Sequence, residues 1–173
     1  MKKTSVLFLC TGNTCRSQMA DGYLRSRYAD RFESHSSGSA PDLSKFRETN
    51  GVHPHALEML RRYGYDTRGL HSKLWTPYIK GKISIDIVLT LCGSGRDELE
   101  EVCPVFPGRA VKAHWGVDDP SHVKGTAEET DSAFEAAFKI IRQRIDALAA
   151  LPIETMLQAN LYREVQSIAT KVL

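Results

Sequence analysis

The sequence contains no long hydrophobic run, no marked excess of one charge and no internal repeat. Its 173 residues include 23 Lys and Arg against 21 Asp and Glu, for a formal net charge of +2. No apolar run approaches the ~18 residues that a membrane-spanning helix needs. A nearly neutral chain is not typical of a dedicated nucleic-acid or membrane-surface binder. We therefore expect a globular protein with no nucleic-acid and no membrane partner.

Zinc-binding cysteine spacing is also absent. The four cysteines are Cys10, Cys15, Cys92 and Cys103, and they form neither a CxxC pair nor a Cys/His zinc pattern. We therefore expect no bound metal. Only six apolar-rich residues precede Thr11 after the basic first residues, too few for the core of a secretory signal. We therefore expect a cytoplasmic protein whose thiols are reduced at rest. In such a protein, four cysteines outside a zinc pattern indicate catalysis or redox chemistry and not structural disulfides.

Four segments have the composition of β-strands. The run 5–9 is apolar, and the run 83–91 is nearly all apolar and rich in β-branched residues. Both are followed by loop-like residues, and weaker candidates cover 32–37 and 109–115. Helical patterns separate these segments. The alternation predicts an α/β fold with a four-stranded parallel sheet flanked by helices on both faces.

The helical patterns carry recognisable start signals. Ser17 is a candidate N-cap, Pro54 opens a second helix, and Thr126 begins a long third helix in a capping box. We expect one domain over residues 1–151. Residues 152–173 are predicted as an extra C-terminal helical tail that extends the same domain.

Three chemically interesting features follow predicted strands. Cys10 follows the first strand, Cys92 follows the third, and the loop with Asp118, Asp119 and Pro120 follows the fourth. In parallel sheets, sites form at the carboxyl ends of the strands. The sequence therefore predicts that these features share one edge of the sheet.

The segment from Cys10 to Arg16 has the spacing Cys-x5-Arg between a strand and a helix. Backbone N–H groups of such a loop form a nest for a tetrahedral oxyanion, and an arginine can clamp two of its oxygens. Gly12 is expected to permit the tight backbone path, and Asn13 to hydrogen-bond loop carbonyls. The predicted oxyanion-binding residues are Thr11, Gly12, Asn13, Thr14, Cys15, Arg16 and Ser17.

Cys10 is the predicted nucleophile of this loop. The helix dipole and Arg16 favour its thiolate form, and Ser17 can donate a hydrogen bond to its sulfur. Cys15 lies inside the loop, and no catalytic role is predicted for it.

The stretch 9–20, Leu-Cys-Thr-Gly-Asn-Thr-Cys-Arg-Ser-Gln-Met-Ala, resembles the signature of the low-molecular-weight phosphatase fold and, within it, of the thiol-dependent arsenate reductases. The segments 88–92, 103–107 and 114–120 resemble the same family in the same order. The resemblance runs from about Lys3 to about Leu151.

The resemblance implies a function and site residues. Cys10 corresponds to the nucleophile, Arg16 to the oxyanion clamp and Asp119 to the general acid, with Asp118 as a loop carboxylate. Cys92 would be the second thiol and Cys103 the resolving thiol of a relay that reduces arsenate to arsenite in arsenic detoxification. The implied reductant is external, either thioredoxin or a glutathione/glutaredoxin system, and no bound cofactor is implied.

Two other functions stay open at this point. A low-molecular-weight protein-tyrosine phosphatase would hydrolyse phosphomonoesters through a Cys10 phosphocysteine, but it needs neither Cys92 nor Cys103. Aromatic side chains that usually follow the Asp-Pro in such phosphatases are replaced by Ser121 and His122, which suits a small inorganic anion. The third reading is a non-catalytic oxyanion- or arsenic-binding module.

The sequence departs from the family pattern in three places. Lys73 stands where some members have an acidic ligand for potassium, so its ammonium is expected to replace the ion and make activity independent of potassium. The loop 38–51 is enlarged. The segment between Cys92 and Cys103 is longer than in thioredoxin-coupled members of the family. Residues 93–102 are predicted as a short helix that would hold the two cysteines about 16 Å apart, at ~1.5 Å per residue. Since a disulfide needs Cα atoms within about 7 Å, this segment would have to unwind during turnover.

Overall fold

The computed structural model describes residues 1–92, 106 and 108–172. Cys103 and the predicted helix over 93–102 lie outside the described residues. Cys10, Cys15, Arg16, Cys92 and Asp119 lie within them.

The core of the molecule is a sheet of four parallel strands in the order β2-β1-β3-β4. The strands are β1 (Thr4–Cys10), β2 (Phe32–Gly38), β3 (Ile87–Thr90) and β4 (Val111–His114). The predicted four-stranded parallel sheet is confirmed. The third strand is shorter than its apolar run, because the Asp86 carboxylate accepts hydrogen bonds from the N–H and hydroxyl of Ser5, both at 2.9 Å, just before regular pairing begins.

Five α-helices complete the described fold. They are α1 (Arg16–Arg27), α2 (Pro54–Arg62), α3 (Thr76–Ile79), α4 (Ala127–Ala149) and α5 (Gln158–Lys171), with short 3-10 helices at Arg47–Thr49, Pro120–His122 and Ile153–Thr155. Helix α1 begins at Arg16, so Ser17 lies in its first turn and is not its N-cap. The tail is not one helix, because extended backbone at Met156 and Leu157 separates the last 3-10 helix from α5.

Alternate side chains of β1 pack on opposite faces of the sheet. Val6 and Phe8 join the core formed with α1, α2, α4 and α5. Leu7 and Leu9 join a smaller cluster with Tyr78 of α3. This alternation follows from the two-residue period of a strand, and it confirms helices on both faces.

The strand order places a crevice at the end of β1. The chain adds β2 on one side of β1 and β3 on the other, and such a reversal of direction is where open parallel sheets bind ligands. Cys10 ends β1 at this point, and Cys92 follows β3.

The tail covers the exposed edge of β4. The Gln166 side-chain amide donates to the Lys112 carbonyl at 2.8 Å, and the Trp115 indole N–H donates to the Val165 carbonyl at 2.9 Å. An open strand edge is a site for unwanted pairing, so this helix protects the sheet as well as enlarging the core.

Candidate active site

The Cys10 sulfur lies at the floor of the loop that joins β1 to α1, and its residue is only 3% exposed. The Asn13 N–H donates to the sulfur at 3.1 Å, and the Ser17 hydroxyl oxygen lies 3.0 Å from it. The Asn13 side-chain amide donates to that same hydroxyl oxygen at 2.8 Å, which leaves the Ser17 proton free to point at the sulfur. Two hydrogen-bond donors are therefore aimed at one sulfur, and they fix its position at the floor of the loop.

Asn13 sets the path of the loop. Its φ of 53° lies in the left-handed region, which asparagine tolerates better than most residues. Its side-chain oxygen accepts the Lys73 N–H at 3.0 Å. The prediction that Asn13 would bind loop carbonyls is wrong, since its side chain binds a hydroxyl and an N–H. Gly12 was predicted to permit the tight backbone path, but a Cβ at Gly12 would meet no atom closer than 3.8 Å, so the loop does not require a glycine there. The residue with the left-handed backbone is Asn13.

The loop carbonyls of residues 10–14 all accept hydrogen bonds from outside the loop. The donors are the backbone N–H groups of Ser39, Ala40 and His53 and the side chains of Ser72 and Gln18. Because each carbonyl is held outward, the backbone N–H groups face the centre of the loop. This is the geometry of an anion-binding nest.

Gly38 permits this arrangement where β2 ends beside the loop. A Cβ at Gly38 would lie 2.6 Å from the Thr11 carbonyl oxygen, which is an impossible contact. Ser39 and Ala40, the next residues of the 38–51 loop, supply two of the N–H groups that bind the loop carbonyls. That loop therefore supports the nest from one side.

Arg16 links the nest to the loop after β4. Its Nη1 donates to the Val117 carbonyl at 2.7 Å and to the Leu91 carbonyl at 3.2 Å. Its Nη2 lies 3.3 Å from the Asp119 carboxylate. The planar guanidinium is thereby oriented by three acceptors, and it lies next to the candidate general acid.

Asp119 has two sets of partners. One carboxylate oxygen accepts the Ser121 N–H at 2.9 Å and the Ser121 hydroxyl at 2.7 Å, and the other pairs with Arg16. Burial favours the neutral acid, but the hydrogen bonds from Ser121 and the charge of Arg16 outweigh it and hold the pKa of Asp119 below its ordinary value. A bound oxyanion would compete for Arg16 and bring negative charge near the carboxylate, and both changes favour protonated Asp119.

Cys92 lies beside the same loop. Its residue is 5% exposed, and its sulfur is 3.6 Å from the Thr11 hydroxyl. It packs in the cluster that also contains Cys10, Leu9 and Phe106. Burial raises the pKa of Cys92, the hydrogen bond with Thr11 lowers it, and the charge of Cys10 raises it again, with a net increase. Cys92 is thus a protonated thiol next to the candidate nucleophile.

Cys15 has a different environment. It is 3% exposed and joins the main core with Met19 and Ala20. Burial raises its pKa to about 12. A thiol that stays protonated in the core is inert as a nucleophile.

Lys73 lies behind the nest. Its ammonium donates to the His71 carbonyl at 2.8 Å and to the Ser36 hydroxyl at 3.4 Å. Burial lowers the pKa of Lys73, and the charge of Asp21 opposes that effect. The ammonium therefore contacts oxygen atoms of the kind that bind a potassium ion. Independence of activity from potassium stays a prediction.

Two site residues were missed in the sequence. The Gln18 amide donates to the Asn13 carbonyl at 2.9 Å and to the His71 carbonyl at 2.8 Å, and Ser72 donates to the Gly12 carbonyl at 3.1 Å. Gln18 belongs to the signature stretch 9–20, and that membership was the available signal. Ser72 carries no comparable signal.

Within the described part of the chain, no group of three or more His, Cys, Asp or Glu side chains is placed to hold a metal ion. In the same residues, no helix combines the length and apolar character that a membrane span requires.

The chain matches a known protein family over most of its length. The sequence profile of the family described as Low molecular weight phosphotyrosine protein phosphatase matches residues 5–167. The chain belongs to this family. The match extends past residue 151, where the motif resemblance ends, and takes in most of the C-terminal segment.

Several curated relatives of this chain are named arsenate reductase. This chain is 36% identical to the arsenate reductase from Bacillus licheniformis and 33% identical to the one from Bacillus subtilis. Each comparison covers 149 residues, which is 86% of this chain and 97% of the relative. These relatives confirm the resemblance to the arsenate reductases of the superfamily.

Solved structures show the same fold. One, described as an arsenate reductase in the phosphate binding state, has a TM-score of 0.57 and 24% identity, covering 83% of this chain and 97% of that one. Another, Wzb of Vibrio vulnificus in complex with benzylphosphonate, has a TM-score of 0.64 and 20% identity, covering 86% and 98%. At these identities the likeness concerns the fold alone.

Replacing Ser17 with alanine is expected to slow alkylation of Cys10 by iodoacetamide at neutral pH by roughly 10- to 100-fold, since a hydrogen bond to a charged group contributes about 1.5–3 kcal/mol. The variant also leaves the Asn13 amide without its acceptor. Mass spectrometry of the alkylated peptide gives the rate at Cys10 alone. Ser26→Ala is the matched control, because that hydroxyl lies on the same helix and binds the Gly22 carbonyl. An unchanged rate in Ser17→Ala would contradict the assigned role.

Proposed function

We propose that this protein reduces arsenate to arsenite through a relay of Cys10, Cys92 and Cys103. The observation that carries the proposal is the place of Cys92, a second thiol beside the nucleophile loop and in contact with Thr11. Hydrolysis of a phosphate ester needs one sulfur at this position. Reduction needs two thiols, because a two-electron transfer to arsenic must leave a disulfide.

The first step uses groups that the family shares. Arsenate binds to the N–H groups of the loop and to Arg16, and the Cys10 thiolate attacks the arsenic. One As–O bond breaks as the S–As bond forms, and protonated Asp119 gives its proton to the departing oxygen. Arsenic is still pentavalent in the resulting adduct.

The second step transfers the electrons. The Cys92 thiolate attacks the Cys10 sulfur, the S–S bond forms, and the electron pair of the S–As bond stays on arsenic. Arsenic is thereby reduced to the trivalent state and leaves as arsenite, while two thiols are oxidised to one disulfide. Because burial raises the pKa of Cys92, this step should accelerate as the pH rises.

Recycling requires a third thiol and an external reductant. The Cys103 thiolate attacks Cys92, which releases Cys10 and forms a Cys92–Cys103 disulfide. Thioredoxin or a glutathione/glutaredoxin system then reduces that bond, and no bound cofactor takes part. The proposal places this reaction in the cytoplasm, in one domain over residues 1–151 with 152–173 as its helical extension.

A low-molecular-weight phosphatase is the second candidate. The nest, Cys10, Arg16 and Asp119 are sufficient to form and hydrolyse a phosphocysteine, and the family description supports that chemistry. The two functions share their first step and differ in what attacks next. Water attacks phosphorus in the phosphatase, whereas Cys92 attacks sulfur in the reductase.

Disulfide mapping separates the two candidates. We expect that the reduced protein, incubated with stoichiometric arsenate and quenched with a thiol alkylator, contains a Cys92–Cys103 bridge and releases one arsenite. The Cys103→Ser variant should instead hold a Cys10–Cys92 bridge. Mass spectrometry of the peptides identifies each bond, and phosphate in place of arsenate is the control.

The opposite result is equally clear. Four alkylated thiols and no arsenite, together with turnover of an aryl phosphate, would make the protein a phosphatase. Four alkylated thiols with neither reaction would favour a non-catalytic oxyanion-binding module.

A further inference from the structure

Arg144 of α4 is a buried cation with an unusual set of partners. Its residue is only 5% exposed, and within the described chain no carboxylate lies within ion-pair distance of its guanidinium. Its N–H groups donate instead to four backbone carbonyls. These are Trp115 at 2.8 Å, Gly116 at 3.2 Å, Val172 at 3.1 Å and Ala169 at 3.4 Å.

Two of those carbonyls belong to the C-terminal end of α5. Ala169 lies in its last turn, and Val172 is its C-cap. The last carbonyls of a helix carry partial negative charge and have no partner within the helix. The carbonyls at the end of α5 therefore stabilise the Arg144 charge, and Arg144 supplies the hydrogen-bond donors that these carbonyls lack within the helix.

The other two carbonyls belong to residues next to the candidate active site. Trp115 and Gly116 immediately precede Val117, and the Val117 carbonyl orients Arg16 at 2.7 Å. Asp119 follows in the same loop. Arg144 thus contacts the backbone one residue away from an acceptor of the oxyanion clamp.

The same backbone segment is packed tightly on its other side. The Trp115 N–H donates to the Thr90 carbonyl at 2.7 Å, and the Val117 N–H donates to the Leu91 carbonyl at 3.1 Å. A Cβ at Gly116 would lie 3.0 Å from the Cys92 carbonyl. Residues 115–117 are therefore held between the exit of β3 and the Arg144 guanidinium.

A simple packing role does not account for this choice of residue. An apolar side chain fills a core position without the cost of removing a charge from water. A guanidinium is suited to bind several carbonyls in one plane at once. Here the guanidinium fixes two separate backbone segments relative to each other, residues 115–116 and the C-terminal end of α5.

We propose that Arg144 is a positioning residue, which with the end of α5 holds residues 115–117 so that Arg16 and Asp119 face the anion-binding loop. The tail is then part of the catalytic apparatus, although none of its described side chains lies in the nest. The inference rests on the oxyanion-binding first step of the proposed function and does not depend on the cysteine relay.

The test compares Arg144→Met with Arg142→Met. Arg142 lies on the same helix but packs over the rings of Tyr63 and Phe138, away from the loop. We expect Arg144→Met to bind inorganic phosphate about 10-fold more weakly, and to lose about 10²-fold in the rate of the first step, as for a small misplacement of catalytic groups. Tryptophan fluorescence gives the phosphate affinity, and alkylation protection at Cys10 confirms it.

Two further readouts separate positioning from stability. The pH dependence of the first step should change in Arg144→Met, because Asp119 is no longer held beside Arg16. Added guanidinium ion at low concentration should restore affinity to an Arg144→Ala variant and have no such effect on Arg142→Ala. Arg144→Lys keeps the charge with fewer donors and should be intermediate, and it carries the test if the other variants do not fold.

A purely structural Arg144 predicts another pattern. The folded variants would then show a lower unfolding temperature, with phosphate affinity, pH profile and rate per folded molecule unchanged, and that pattern would overturn the proposal. Because phosphate affinity needs no turnover, the inference can be judged even if arsenate reduction fails in the wild-type protein.

Discussion

Replacing Cys92 with serine is expected to reduce multiple-turnover arsenate reduction to background. A serine hydroxyl cannot form a disulfide, so the arsenic–sulfur adduct at Cys10 has no electron donor beside it. The nest, Arg16 and Asp119 are unchanged by the substitution. Arsenite release, measured with the external reductant in excess, gives the effect.

Phosphate binding and aryl phosphate hydrolysis serve as control measurements in the same Cys92→Ser variant. Its binding of phosphate, and any hydrolysis of an aryl phosphate, should remain within about 3-fold of the wild-type value, because isosteric changes outside the reacting groups leave such steps nearly intact. Arsenate reduction at the wild-type rate in this variant would rule out Cys92 as the second thiol.

Replacing Asp119 with asparagine is expected to slow the first step by roughly 10²- to 10⁴-fold, the usual contribution of a positioned general acid. An amide keeps the shape of the side chain but has no proton to give at this stage. The measurement is the single-turnover loss of the free Cys10 thiol after mixing with arsenate. Asp118→Asn is the matched control, because Asp118 is the neighbouring carboxylate in the same loop and is exposed.

The pH dependence of this step follows from the lowered pKa of Asp119. In the free protein, Ser121 and Arg16 keep the side chain ionised, so the acid form is favoured at low pH and is lost as the pH rises. The second-order rate of the first step should therefore fall with rising pH between about pH 5 and about pH 8, and Asp119→Asn should flatten that decline. A decline that persists unchanged in Asp119→Asn would assign the proton to another group.

The sequence alone was sufficient for the features that depend on neighbouring residues. Apolar runs indicate β1 and β3, since burial on both faces of a parallel sheet requires apolar residues. The Cys-x5-Arg spacing indicates the loop between a strand and a helix. The prediction that Cys10, Cys92 and Asp119 share one edge followed from their places after predicted strands and from one general rule of parallel sheets. Local sequence patterns predicted the ends of the elements less exactly. Helix α1 begins at Arg16 and Ser17 is not its N-cap, and the tail is divided into a 3-10 helix and α5.

The tertiary structure decided the contacts between residues far apart in the chain. Ser72 and Gln18 hold the loop carbonyls, the Arg16–Asp119 pair lowers the pKa of the candidate acid, and Arg144 joins the tail to the loop after β4. Gln18, Arg16 and Asp119 stand in recognisable motifs, but the sequence does not show which atoms they contact, because a serine, glutamine or arginine looks the same whether it faces solvent or a backbone carbonyl. Only the packing of helices on the sheet brings each donor to its acceptor, and a buried polar group must find such a partner wherever the fold places it.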